Sequence, residues 1–168
     1  MFRVVMLTLA EAKSIVDAAV AKARQLNVNV TVTVCDKQGR LIALNRMDGA
    51  YAEADRFSIG KAVVSAGTGL PSGEVKGHVD HPPVGTVVGE GVSPIGIRGG
   101  LPIFRDGQIE GACGVDGALS HEQEEECARA GILRCGLLFQ PRSMRDLEAD
   151  RDPHPQCILA GGNRHRRS

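Results

Sequence analysis

The pattern of apolar and polar residues predicts that the chain opens with an amphipathic helix. Over residues 8–26, apolar side chains recur every three or four positions and would form one buried face. Thr8 precedes this run and Glu11 stands three positions later, which is the spacing of a capping box. We therefore expect a helix over 8–26, closed at its N-terminus by Thr8.

A strict alternation of period two follows and predicts an antiparallel hairpin. Residues 28–35 read VNVTVTVC, so the valines face one side of a strand and the remaining residues face the other. Residues 36–39 form a turn in which Gly39 takes the position that needs positive φ. The partner strand covers 40–47. The alternation is typical of a strand with one buried face.

The helical period returns twice more. A helix is predicted over 52–69, and Pro71 favours a second, short helix at about 72–78. Ser120 is suited to cap a last helix over 120–135, since the glutamates that follow it favour the positive end of the helix dipole.

A second hairpin lies between these helices. Asp106-Gly107 is a strong turn dipeptide and joins predicted strands over 101–105 and 108–115. It is preceded by residues 79–100, which are rich in glycine and proline. A loop of this length inside a small domain is typical of a binding loop.

These elements define an α+β domain, because antiparallel hairpins alternate with helices that can cover the sheet. The chain has no strand–GxGxxG–helix unit and no GxxxxGK[ST] motif, which disfavours a dinucleotide or P-loop site. The domain is expected over 1–135. Residues 136–168 are dense in charge and proline, and we expect them to form a flexible tail.

Composition narrows the class of protein. Twenty Lys and Arg balance twenty Asp and Glu, so the formal net charge of zero gives no reason to expect nucleic acid or an anionic membrane as a partner. No apolar run is long enough for a transmembrane helix, and no signal peptide is recognised. The five cysteines are scattered, which favours reduced thiols in the cytoplasm. A chain this small, with few large side chains, is expected to form a homo-oligomer.

Three stretches carry a family resemblance: residues 7–50, the Lys61-Ala62 pair on the second helix, and residues 99–132, which read GGLPIFRDGQIEGACGVDGALSHEQEEECARAGI. In this order they resemble the GlcG/HbpS family, also found as the C-terminal domain of PduO-type cobalamin adenosyltransferases. The resemblance implies a profilin-like, five-stranded antiparallel sheet flanked by helices, assembly into oligomers, and a link to haem binding or haem degradation. The chain departs from the family pattern at Asp116, where members usually carry Ser, at Val64, where Thr is usual, and at Glu124 or Glu125, where Asp is common.

Two histidines in the glycine- and proline-rich loop are candidate ligands. His78 and His81 stand in the sequence GHVDHPP, and imidazole binds both haem iron and transition metals. His78 could also act as an acid or base. The alternative is that both are ordinary polar loop residues.

Candidate anion-binding groups lie on the second helix and after the loop. The resemblance favours Lys61 as a partner for a propionate or a substrate carboxylate. Arg98 could hold a carboxylate in a bidentate manner, and the amides of Gly99 and Gly100 could approach an anion. Glu53 and Arg56 are further candidates, with a surface ion pair as the alternative interpretation.

Asp116 and Cys113 complete the list of reactive groups. Asp116 lies between two glycines and could be a general base, or a turn residue that ends the strand. Cys113 is interpreted as a small core residue rather than a nucleophile.

Three functions follow, and the third, beside the two below, is a non-catalytic oligomeric partner. The first is a cytoplasmic haem-binding or haem-degradation-associated protein, with haem as its possible cofactor. The second is an isomerase, hydratase or lyase that acts on a small anionic ligand bearing a carboxylate. In that case Asp116 or His78 would transfer protons, and Arg98 or Lys61 would hold the anion.

Overall fold

A computed structural model describes residues 6–75 and 95–139 of the chain. These residues form an antiparallel sheet and three α-helices, which confirms the α+β class. The elements, in chain order, are α1 (Leu9–Gln25), β1 (Thr31–Asp36), β2 (Leu41–Arg46), α2 (Ala54–Thr68), β3 (Gly100–Arg105), β4 (Gln108–Asp116) and α3 (His121–Arg134).

The sheet has the order β2-β1-β4-β3, and every pair of neighbours is antiparallel. Both predicted hairpins are therefore present. They join side by side, because β1 of the first hairpin pairs with β4 of the second. The pairing sets Thr31, at the start of β1, opposite Asp116, at the end of β4. The resemblance implied five strands, but the described part of the chain contains four.

One face of the sheet carries the main hydrophobic core. Apolar side chains of β1, β3 and β4 point toward α1 and α3, which pack against each other over this face. Close helix packing is possible because Gly131 of α3 lies against Ile15 of α1. The buried members from the three strands are Val32, Val34, Leu101, Ile103, Cys113 and Val115.

The other face of the sheet is covered by α2, and here the structure differs from the expectation of one buried face for the first strand. Thr33 and Cys35 are fully or almost fully buried, and the Thr33 hydroxyl lies 2.8 Å from the hydroxyl of Ser58. Gly114 makes this approach possible, since a Cβ there would stand 2.7 Å from the backbone nitrogen of Ala62 and would press against the Ser58 carbonyl. The helix thus packs directly on the sheet backbone.

Local signals confirm several helix ends and turns. The Thr8 amide donates to Glu11 Oε2 at 2.8 Å and the Glu11 amide donates to Thr8 Oγ1 at 3.2 Å, which is the predicted capping box. Ser120 caps α3. Asp106 and Gly107 have φ of 50° and 75°, as the tight hairpin turn requires. No helix in the described ranges is long and apolar enough to cross a membrane.

Most predicted boundaries differ by one or two residues, and three differences are larger or concern the domain end. β1 begins at Thr31 rather than at residue 28. The short helix expected over 72–78 is a single 3-10 turn, Ser72–Glu74, because residue 75 already has extended backbone, and residues 76–78 lie outside the described ranges. Beyond residue 135, Leu137 is still buried in the core and Leu138 exchanges backbone hydrogen bonds with Phe104. The flexibility of residues 140–168 stays a prediction.

Candidate functional site

A buried lysine lies at the centre of the candidate site. Lys61 projects from α2 toward the end of β4, and its side chain has no solvent exposure. Its Nζ lies 2.5 Å from Asp116 Oδ1, 2.7 Å from Glu124 Oε2 and 3.2 Å from the Val115 carbonyl oxygen. An ammonium group has three hydrogens to donate, so every one of them is used within the protein.

Three elements converge to make this arrangement. Asp116 is the last residue of β4, and Glu124 lies in the first turns of α3 after the Ser120 cap. The second oxygen of Glu124 accepts the amide hydrogen of Gly117 at 3.0 Å. Glu124 is therefore held both by the lysine and by the backbone that links β4 to α3.

Gly99 closes the cluster from the side of β3. Its φ is +126°, and a Cβ there would stand 2.7 Å from the Val115 oxygen, 3.0 Å from Lys61 Nζ and 3.1 Å from Glu124 Oε2. Any side chain would therefore displace the ion pair. A Cβ on Gly100 would lie 2.5 Å from the Lys61 carbonyl oxygen. The two glycines allow close approach to Lys61 in this structure, and their predicted role toward an anion stays a prediction.

Two titratable side chains connect the buried cluster to the surface. The Tyr51 hydroxyl donates a hydrogen bond to Asp116 Oδ2, while much of the tyrosine ring is exposed. On the other side, His121 Nδ1 lies 2.9 Å from Glu124 Oε2, and the histidine side chain is 57% exposed. A continuous series of hydrogen bonds thus runs from Tyr51 through Asp116, Lys61 and Glu124 to His121, and we call these five residues the lysine–carboxylate cluster.

Electrostatics favour a neutral Tyr51. Burial of the hydroxyl raises the pKa of Tyr51 above its ordinary value, and the hydrogen bond to Asp116 and the charges of Asp116, Glu124 and Glu53 raise it further. The phenol is therefore a hydrogen-bond donor throughout the neutral range.

The formal charge of the cluster is negative. Lys61 contributes plus one and the two carboxylates contribute minus one each, so with a neutral histidine the sum is minus one. Lys61 is thus already paired with carboxylates of its own chain. Its predicted role toward an anionic ligand stays a prediction.

Arg98 is also engaged within the chain. Its Nε donates to Glu125 Oε2 at 2.7 Å and its Nη1 donates to Glu122 Oε1 at 3.0 Å, so the loop before β3 is tied to α3. The hydrogen bond and charge of Glu125 raise the pKa of Arg98 above its already high value. Arg129 pairs with Glu125 as well, at 2.9 Å.

The other predicted residues lie around or away from the cluster. Glu53 is the exposed N-cap residue of α2, and it acts on the cluster through its charge near Tyr51. Arg56 is exposed on the same helix. His78 and His81 lie outside the described residues. Within those residues, no group of three or more His, Cys, Asp or Glu side chains is arranged to hold a metal ion.

The sequence interpretation missed Tyr51 and His121. A weak signal existed for His121, because it stands three residues before Glu124 on one helix and such residues share a face. Tyr51 had no such signal, since its partner Asp116 is 65 positions away in the chain. Cys113 is fully buried, as predicted, and burial raises its pKa.

One more buried polar group lies beside the cluster. The Thr31 hydroxyl has no hydrogen-bond partner among the described residues, although the residue is fully buried. Thr31 stands directly opposite Asp116 in the sheet. Directly paired residues share a face, so this hydroxyl belongs to the same side of the sheet as the cluster.

The fold and this cluster define a small α+β protein with a buried, internally neutralised lysine at one end of its sheet. A family model described as "Haem degrading protein HbpS-like" matches residues 7–133, and the chain belongs to this family. Among curated relatives, an uncharacterised 15.0 kDa protein from the dhaT-dhaS intergenic region of Citrobacter freundii is 30% identical over 137 residues, which cover 75% of this chain and 89% of the relative. Protein GlcG of Escherichia coli K12 is 35% identical over 113 residues, which cover 66% of this chain and 81% of GlcG.

Solved structures agree with this assignment. The PduOC–haem complex matches with a TM-score of 0.66 at 25% identity, covering 81% of this chain and 99% of that one. The Klebsiella pneumoniae protein ORFY matches with a TM-score of 0.67 at 28% identity, and the match covers 81% of this chain and 94% of ORFY. A double mutant of Streptomyces reticuli HbpS matches with a TM-score of 0.67 at 28% identity, and the match covers 79% of this chain and 89% of HbpS.

Proposed function

We propose that this protein binds haem and serves in haem handling or degradation. The observation that supports the proposal is the fold match to a relative crystallised with haem, nearly all of whose chain is covered. Membership of the HbpS-like family points the same way. Haem, when bound, would supply an iron centre for ligand binding or redox chemistry.

Haem iron takes imidazole, thiolate, thioether or phenolate ligands from a protein. Thiolates of Cys35, Cys113 and Cys127 are unsuitable, because all three are fully buried and burial raises the pKa of each thiol, to about 12 for Cys35 and about 11 for Cys127. The Tyr51 hydroxyl is held by Asp116. The Cys135 thiol is partly exposed and donates to the Glu11 carbonyl oxygen at 3.6 Å. His121 carries an exposed imidazole, so the described residues offer haem iron a nitrogen ligand.

The experiment is a titration of the purified chain with ferric haem, followed by visible absorption. We expect a saturable shift of the Soret band at one haem per chain. Metal-free protoporphyrin, added in parallel, separates binding of the iron from binding of the ring. A Soret band that stays at the position of free haem at every protein concentration would contradict the proposal.

Proton transfer on a small metabolite is the second candidate, and the lysine–carboxylate cluster favours it. The cluster joins the partly exposed Tyr51 to the exposed His121 through buried acidic groups, an arrangement suited to acid–base catalysis. Its formal negative charge disfavours a carboxylate near Lys61, so an anionic substrate would need its charged end elsewhere.

This second function is tested by exchange of substrate hydrogens with deuterium from solvent. Small hydroxy acids and oxo acids are incubated with the chain and followed by NMR. Exchange that is lost in Tyr51→Phe and Asp116→Asn would support an enzyme. No exchange in any of these acids, at protein concentrations close to those of the substrate, would reject it.

We also propose that the chain acts as a homo-oligomer. Apolar side chains remain exposed on α1, α3 and the residues after α3, which association would remove from water. They are Leu9, Leu133 and Leu138. Sedimentation that gives the mass of a single chain at micromolar concentration would contradict this.

A further inference from the structure

We propose that His121 is an iron ligand of this chain when haem is bound, and that Glu124 is the residue that orients it. The inference rests on the proposed haem-binding function and deepens it. It differs from the sequence interpretation, which placed the ligand at His78 or His81.

The first step is the state of the imidazole. Nδ1 of His121 lies 2.9 Å from Glu124 Oε2, and a carboxylate can only accept a hydrogen bond. The hydrogen of a neutral ring is therefore on Nδ1, and the lone pair is on Nε2. This is the tautomer that binds a metal through Nε2, and a carboxylate behind the ring is the usual partner of a metal-bound histidine.

The second step is the rigidity of that carboxylate. Glu124 is almost fully buried and accepts from Lys61 Nζ at 2.7 Å and from the Gly117 amide at 3.0 Å. Both of its oxygens are thus fixed before any ligand arrives. A histidine held by a fixed carboxylate loses little freedom when it coordinates iron, and the negative charge behind the ring strengthens the nitrogen as a donor.

The third step is the surface around the imidazole. Leu119, two residues before His121, is 88% exposed and is the most exposed large apolar side chain in the described residues. Its backbone amide donates to Gln123 Oε1 at 3.2 Å, which anchors the segment that carries it. An apolar side chain and an imidazole are thus exposed two positions apart, the first for contact with a porphyrin ring and the second for its iron.

The fourth step is charge. The cluster behind the imidazole has a formal charge of minus one. The iron of ferric haem, with the porphyrin as its dianionic ligand, carries a net positive charge. The negative cluster would therefore stabilise the positive iron bound to His121, whereas it would repel the haem propionates from this end of the sheet.

The test compares ferric haem titrations of the wild-type chain, His121→Ala and Glu124→Gln, with His165→Ala as the matched control for loss of one histidine. We expect His121→Ala to lose the Soret band of the nitrogen-ligated complex and to regain it when free imidazole is added. Glu124→Gln should keep the band but bind about 10–100-fold more weakly. Circular dichroism of each variant confirms that it is folded.

The outcomes separate the two proposals. If the wild-type chain gives no complex, the proposed function fails. If the wild-type complex forms and His121→Ala gives the same spectrum and affinity as His165→Ala, the function stands and the assignment of His121 is overturned. Loss of the band in His78→Ala or His81→Ala, with the band of His121→Ala unchanged, would assign the iron ligand to His78 or His81 instead. A weaker complex of His121→Ala that free imidazole does not restore would assign the residue a structural role and would also overturn the proposal.

Discussion

Replacing Lys61 by methionine should destabilise the fold strongly, because it leaves two carboxylates buried without their cation. Met has nearly the length of Lys, so the change removes charge with little loss of volume. At 2.5 and 2.7 Å, each ion pair has a Coulomb energy of about 6 kcal/mol at an effective dielectric constant of about 20. Desolvation and the mutual repulsion of Asp116 and Glu124 offset part of this. Removal of one partner from a buried pair typically costs about 3–5 kcal/mol.

A loss of this size is a large share of the stability of a small domain, which is about 5–15 kcal/mol. The assay is urea unfolding followed by far-UV circular dichroism, since the chain has no Trp. Lys13→Met, on the exposed side of α1, is the matched control and should change the stability by no more than about 0.5 kcal/mol.

A triple variant keeps the prediction testable if Lys61→Met does not fold. Lys61→Met combined with Asp116→Asn and Glu124→Gln removes the unpaired charges, and the amides still accept hydrogen bonds through their carbonyl oxygens. We expect the triple variant to be more stable than the single one. A single variant within about 1 kcal/mol of the wild type would refute the argument, as would a triple variant less stable than the single one.

Three further predictions concern other contacts. The only tyrosine of the chain, Tyr51, should titrate well above pH 10 in the folded protein. Because its folded pKa is raised, the stability that it contributes is present below pH 10 and is lost as the pH rises further. Asp116→Asn should lower the titration midpoint of Tyr51, measured by ultraviolet absorbance. Glu11→Gln keeps the capping box but removes the charge that pairs with Arg105, so it should cost up to about 1 kcal/mol at pH 7 in urea unfolding. Since the folded pKa of Glu11 is lowered, the difference should shrink as the pH falls below 4.5, and a constant difference would contradict this. Gly114→Ala should cost about 1–3 kcal/mol or more, because its Cβ meets the backbone of Ser58 and α2, and an unchanged urea midpoint would disprove this contact.

Local signals in the sequence were sufficient for the three α-helices and the two hairpins, though not for all of their boundaries. The capping box of Thr8 and Glu11, the Asp106-Gly107 turn and the Ser120 cap all act between residues four or fewer apart. Their geometry depends on the chain near them and hardly on the rest of the fold. The same holds for the alternation in β1, which identified a strand but not that both of its faces are buried.

The candidate site was only partly accessible to the same reasoning. Lys61 and Asp116 were named, one from the family resemblance and one from its place between glycines, yet nothing local shows that they touch. They are 55 positions apart, and the contact exists because β4 lies in the middle of the sheet and α2 packs directly on its backbone at Gly114.

The sequence by itself determined the helices, the two hairpins and the residue types that could bind or react. The tertiary structure decided which of these groups meet and in what charge state. It buried Lys61 between two carboxylates and set Tyr51 and His121 at the two ends of the cluster. Contacts within one turn or one hairpin follow from short-range geometry, whereas contacts across 50 or more residues depend on strand order and on the packing of small side chains between layers.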